Sequence, residues 1–274
     1  MGCKFTLRDW RRETGQRLFS LKHWKTLSGL KRFTLPSWCD FVEAPAPEAP
    51  YHADAVNFAA NTFLSRAALL TGVADSPLGL VSVWTNGGQF GYVGSGNNGL
   101  VSLESTGSAK FYFQDIDATS FVEGNNAGPG AGWQHTLIAW NMNFGIGNRI
   151  YQIYRNDAVV APTVGSESGV AFSLPYTQEA VWELLRAGSA GGAADAYFAF
   201  GQYLDISVEA NRRKFISAEL KPVFLGADGS TPTGLAPACF FSGNAASFAT
   251  NLGPAGAFSV SGTPLTNAST SPSD

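Results

Sequence analysis

From Ala55 onward, apolar residues recur at every second position or in short unbroken runs, and glycine, asparagine, aspartate and proline separate the runs. A period of two places successive side chains on opposite faces of an extended chain, so these runs read as strands. Residues 55–58, 80–84, 89–93, 100–103 and 110–113 make the opening series. Thr85-Asn86-Gly87-Gly88 supplies hairpin chemistry after the second run, and Thr106-Gly107-Ser108 supplies a tight turn before the last.

Residues 136–142 and 149–155 form the strongest predicted hairpin, because both are rich in aromatic and β-branched residues and Phe144-Gly145-Ile146-Gly147-Asn148 lies between them. In the second run Ile150, Gln152 and Tyr154 take one face, Tyr151 and Ile153 the other. Asn156-Asp157 is the next turn, and residues 158–160, 180–185, 196–203, 238–241 and 257–260 continue the series. Strands at this cadence, without alternating helical periods, predict an antiparallel β-sandwich and argue against a βαβ fold. One helix is expected over 208–217, capped by Ser207, with Glu209 in its first turn and Arg212, Arg213 and Lys214 near its end. Cations there are ordinary helix stabilisers, a reading preferred to a phosphate site.

Composition supports the pattern. Of 274 residues, 45% are hydrophobic and only 14% charged, with 31 Gly and 14 Pro, which allows a large core cut into many short strands. No unbroken apolar run is long enough to span a bilayer as a helix. The basic start of the chain lacks the apolar core and cleavage site of a signal peptide, so synthesis in a cytoplasm without export is expected. Cys3, Cys39 and Cys239 are too scattered for a disulfide framework or a CxxC metal site and read as free thiols, with a Cys3–Cys39 bridge left open.

Charge divides the chain in two. Residues 1–40 hold nine Lys or Arg against three acids, a net of +6; since the whole chain carries −3, the remainder carries −9. Residues 1–43 therefore read as a basic anchoring arm, 44–51 (Ala44-Pro-Ala-Pro-Glu-Ala-Pro-Tyr51) as a stiff Pro-rich linker and 52–274 as the sandwich. Three Trp in the arm suit a protein interface, whereas a purely electrostatic arm would need none; docking on a protein is preferred to nucleic acid or a membrane surface. Trp10, Arg11, Arg12, Trp24, Lys25 and Trp38 are the candidate docking residues.

Catalytic chemistry is sparse. His23, His52 and His135 are widely separated, and no GxSxG, Walker or dinucleotide motif is present. Asp115-Ile116-Asp117 is the nearest approach to a carboxylate pair, but acids at a turn more often satisfy backbone donors, and no enzyme is expected. Asp115, Asp117 and Asp157 are candidate calcium ligands with loop carbonyls; no other cofactor is implied.

Trp133-Gln-His-Thr-Leu-Ile-Ala-Trp140 followed by Arg149-Ile-Tyr-Gln-Ile-Tyr-Arg-Asn-Asp157 resembles the laminin G and concanavalin A-like family. Asp54-Ala-Val-Asn-Phe58, Phe63-Leu-Ser-Arg66 and 79–84 look like its opening strands. The block from Gly201-Gln-Tyr-Leu-Asp-Ile-Ser-Val-Glu-Ala-Asn-Arg-Arg-Lys-Phe-Ile216 through Lys221-Pro222 and Leu225–Gly234 to Thr270-Ser-Pro-Ser-Asp274 is similar to proteins encoded in tailed-phage and prophage structural gene clusters. The resemblance covers 51–274. It implies a jelly-roll sandwich displayed on a virion as a fibre, spike or capsid decoration. The virion is then its location, after synthesis in the host cytoplasm, with other virion proteins as partners through 1–43 and self-association into a homo-oligomer.

The glucanases that share this fold carry a Glu-x-Asp-x-Glu strand, and none occurs here, so glycoside hydrolysis ranks last. Binding of host-surface polysaccharide is the alternative to a purely structural role, with Trp84, Asn86 and Trp133 as the residues by type, although large aromatics on strands are more often core. The family's glycan and calcium ligands lie in variable loops, and none is matched in this sequence.

Overall fold

The computed structural model describes residues 51–94, 102–103, 108–114, 121–127, 131–161, 163–177 and 181–274. The chain divides between Pro50 and Tyr51, so the arm and its six candidate docking residues lie outside the described part, as do Asp115 and Asp117. Strands β1 (Val56–Phe58), β2 (Phe63–Arg66), β3 (Leu78–Gly94), β4 (Ser102–Leu103), β5 (Ser108–Gln114), β6 (Phe121–Ala127), β7 (Trp133–Asn141), β8 (Ile150–Arg155), β9 (Ala158–Val159), β10 (Thr163–Ser168) and β11 (Trp182–Phe200) precede one helical turn, α1 (Glu209–Arg212); β12 (Cys239–Phe241), β13 (Ser259–Ser261) and β14 (Thr266–Asn267) follow it. The fold is all-β, with two antiparallel sheets ordered β13-β2-β11-β3-β7-β8-β9 and β10-β6-β5-β4.

β3 and β11 are the spine of the larger sheet. One edge of β11 pairs with β3 along most of its length, from Trp182↔Gly94 to Phe200↔Gly79. Its other edge is taken in turn by β2, β1 and β12, which meet it at 182–184, 191–193 and 196–198. The hairpin expected at Thr85–Gly88 therefore does not form. Gly87 has φ of 61°, but Gly191 and Gly192 lie opposite Gly87 and Asn86, and the paired glycines let the ladder run through. The runs expected at 180–185 and 196–203 are likewise joined into one strand.

Both faces of the large sheet are buried, by period-two alternation. Val81, Val83, Ile138, Trp140, Phe198 and Phe200 face a first cluster, which includes Phe113 of β5 in the second sheet; its ring lies 5.1 Å from that of Trp140. Leu80, Leu137, Ala139, Tyr197 and Ala199 face a second cluster, covered by Ile206, Phe215 and Leu225 of the segment that follows β11. This segment is mostly irregular. The helix expected over 208–217 is limited to α1, and Val208 occupies its N-cap without a side-chain hydrogen bond. Ser207 is diverted: its backbone N–H and its hydroxyl both donate to Asp205 Oδ1 (3.0 and 2.6 Å).

The predicted β7–β8 hairpin is present, from Thr136↔Arg155 to Asn141↔Ile150. Asn156 and Asp157 turn the chain into β9 with φ of 46° and 63°, a left-handed pair that Asn and Asp tolerate.

Candidate functional site

The alternation that builds β1 begins upstream of it. Ala53 and Ala55 are buried, with Trp84, Ala194 and Ile216, in a third cluster on the second face of the large sheet, and Tyr51 packs against it. His52 and Asp54 must then point outward, and both are exposed. They form a ridge with a depression on each side. The first, about 380 Å³, is lined by His52, Asp54, Asn244, Asn267, Thr270 and Asp274. The second, about 290 Å³, includes Tyr51, Asp54, Phe224, Phe240, Ser242 and Leu252.

Behind the second depression lies Asp195. Its φ of 43° marks a bulge in β11, where the register against β3 shifts between Ala194 and Tyr197. The extra residue resets the alternation: Ala193 faces the first cluster and Ala194 the third, yet beyond the bulge Ala196 and Phe198 face the first again. Asp195 is thereby held in the interior, 2% exposed. Tyr51 Oη–H and Ser242 Oγ–H donate to its Oδ1 at 3.0 and 2.7 Å, while the buried Oδ2 has no hydrogen-bond partner among the described residues. Burial pushes the Asp195 carboxyl up to about 6, against the pull of the two hydroxyl hydrogen bonds and with a smaller push from Asp54. Burial and Asp195 together raise the Tyr51 hydroxyl well above its ordinary range. A strained, buried, half-satisfied carboxylate beside a surface depression is a physical signature of a functional site.

The residues singled out by type fall elsewhere. Trp84 is 3% exposed, its ring 4.8 Å from that of His135. His135 is buried with Nε2 2.8 Å from Ser82 Oγ, and desolvation drives its pKa down to about 3, so the ring is neutral. Asn86 and Trp133 are half-buried partners across β3 and β7. The Trp133 indole lies on Gly192, where an added Cβ would meet Cη2 at 2.9 Å, and its Nε1–H donates to Thr270 Oγ1 at 3.2 Å, on the wall of the first depression.

Asp157 is claimed by cations of the protein itself. Arg212 Nε donates to its Oδ1 at 2.5 Å and Arg213 Nη2 to its Oδ2 at 2.6 Å. Desolvation opposes ionisation, but these bonds prevail and hold its carboxyl below the ordinary value. Among the described residues, no three His, Cys, Asp or Glu converge as a metal site. Cys239 is a buried free thiol.

Asp195 escaped the sequence reading. The available signal was a lone acid inside the apolar stretch Ala193-Ala-Asp-Ala-Tyr-Phe-Ala-Phe200, a place where an unpaired carboxylate is costly. No family model matches the chain, and no curated protein matches it either.

Proposed function

We propose that this chain is a structural protein of a phage or prophage virion, a fibre, spike or capsid decoration, that docks through its basic arm and displays the β-sandwich as a non-catalytic binding module. The observation that carries the reading is the division of charge near the boundary between the chain's two compact units. Residues 1–40 carry +6 and the rest −9, and the chain divides between Pro50 and Tyr51. A basic, Trp-rich arm joined by a Pro-rich linker to an acidic body is a pattern suited to docking on a separate surface. The test is deletion of residues 1–43. The truncated protein should remain folded and monodisperse but be absent from particles assembled in cells that make the full set of virion proteins. Normal incorporation would sink the proposal.

Polysaccharide binding is the second reading. It is favoured by Trp133, a half-buried aromatic hydrogen-bonded to Thr270, which lines a depression rich in Asn, Ser and Thr. A glycan array probed with calcium present should show retention that is lost in Trp133→Ala; an array blank for the full chain counts against it.

A further inference from the structure

We propose that the depression beside Tyr51 and Phe224 binds a quaternary ammonium group of the choline type. Phe224 is 58% exposed, and its ring lies 5.5 Å from that of Tyr51 at 50°, so the two form an open aromatic corner. Phe240 and Leu252 add apolar wall. Aromatic faces carry negative potential, and a corner of them attracts a cation whose surface is alkyl.

The charges agree. Asp54 lines the depression, and Asp195 lies behind it, bonded to two of its lining residues, Tyr51 and Ser242. The described ion pairs satisfy Asp157, Glu183 and Glu209 with arginines, but none involves Asp54 or Asp195. Negative potential is thus left open at this place.

The hydrogen-bonding inventory argues against a neutral sugar. The hydroxyl protons of Tyr51 and Ser242 are both spent on Asp195, leaving few donors for the oxygens of a sugar. A quaternary ammonium has no N–H and needs only apolar contact and countercharge. The same bonds fix the Tyr51 ring before any ligand arrives, which lowers the ordering cost of binding. A volume of about 290 Å³ is at the small end for ligand sites and suits a single headgroup. The site lies on the sandwich and stands whether or not the arm docks on a particle.

The experiment is a titration of the full chain with choline, followed by calorimetry and by the NMR resonances of its aromatic rings, beside 3,3-dimethylbutan-1-ol, the uncharged carbon isostere of choline, and methyl glucoside. Choline should bind saturably, about tenfold or more tightly than the isostere, and weaken about tenfold in Phe224→Ala and severalfold in Asp54→Asn. Both substitutions alter exposed side chains, and an unchanged melting curve checks that the fold is kept. Equal binding of choline and its isostere, preference for the glucoside, undiminished binding by Phe224→Ala, or no saturable choline binding at tens of millimolar would each overturn the assignment.

Discussion

Asp195 combines a left-handed backbone, burial and an unpaired carboxylate oxygen, and its titration carries a definite sign. In the unfolded chain the group ionises near its ordinary 3.8, in the folded protein near 6. Between those values the folded state holds the extra proton, so this group's contribution is fully present below pH 3.8 and is lost as pH rises through 6. Asp195→Asn keeps the acceptor for Tyr51 and Ser242 and removes the charge. Relative to that variant, the natural protein should lose about 2 kcal/mol of unfolding free energy between pH 4 and 7. Urea titrations at several pH values measure it, and a difference that does not change with pH would refute the buried-charge account. The comparison must be a difference between the two proteins, because His135 acts in the opposite sense. Buried and neutral, it destabilises as pH falls below 6.5, and that effect cancels when both proteins retain it.

At the scale of elements, β7, β8 and the Asn156-Asp157 turn were legible because alternation and turn chemistry agree there. The spine was not. Thr85-Asn86-Gly87-Gly88 carries a local hairpin signal, and what overrides it lies a hundred residues away in the glycines of β11. Local composition cannot show that a glycine in one strand will be answered by glycines in another. The bulges in β11 hide in the same way. Leu184 and Leu185 are both buried because Leu185 adopts φ of 54°, and Asp195 reaches the interior by the same device. The helix is shorter than its pattern predicts because Ser207, which could cap it by bonding forward, bonds back to Asp205. The candidate site was legible only in part. Alternation in Tyr51–Ala55 places His52 and Asp54 outside, but the walls come from residues 224–252, which no short pattern joins to them.

One close approach in the spine gives a sharp test. Gly79 faces Trp140 across β3 and β7, and a Cβ on it would sit 1.9 Å from Cζ2 of the buried indole. Gly79→Ala should therefore cost about 3 kcal/mol or more, read by denaturant unfolding. Trp140→Phe removes the atoms that collide, so the double variant should be less destabilised than the sum of the two single ones; strict additivity would show that the clash is relieved elsewhere.

At the scale of the whole molecule, the sandwich is closed by sewing its last described residues to its first. Ala268 N–H donates to Ala55 O at 2.9 Å, Ser271 Oγ–H to Ala53 O at 2.8 Å, and Ala53 N–H to Ser273 Oγ at 2.9 Å. Ser271 and Pro272 are buried, and Thr270 holds the indole of Trp133. The segment thus covers the edge of the third cluster and walls the first depression, so stability and the candidate surface share one part of the chain. Two truncations separate this role from that of the arm. Removing 269–274 deletes two hydrogen bonds to the Ala53 backbone and uncovers Ala53 and Trp133, a loss of about 2 to 4 kcal/mol, or roughly 4–15 °C in melting temperature. Removing 1–43, if the arm serves to dock on a partner as proposed, should leave the melting temperature of the sandwich unchanged. If instead the arm deletion lowers it as much as the C-terminal one, the arm is part of the fold, and its basic face is not free to dock elsewhere.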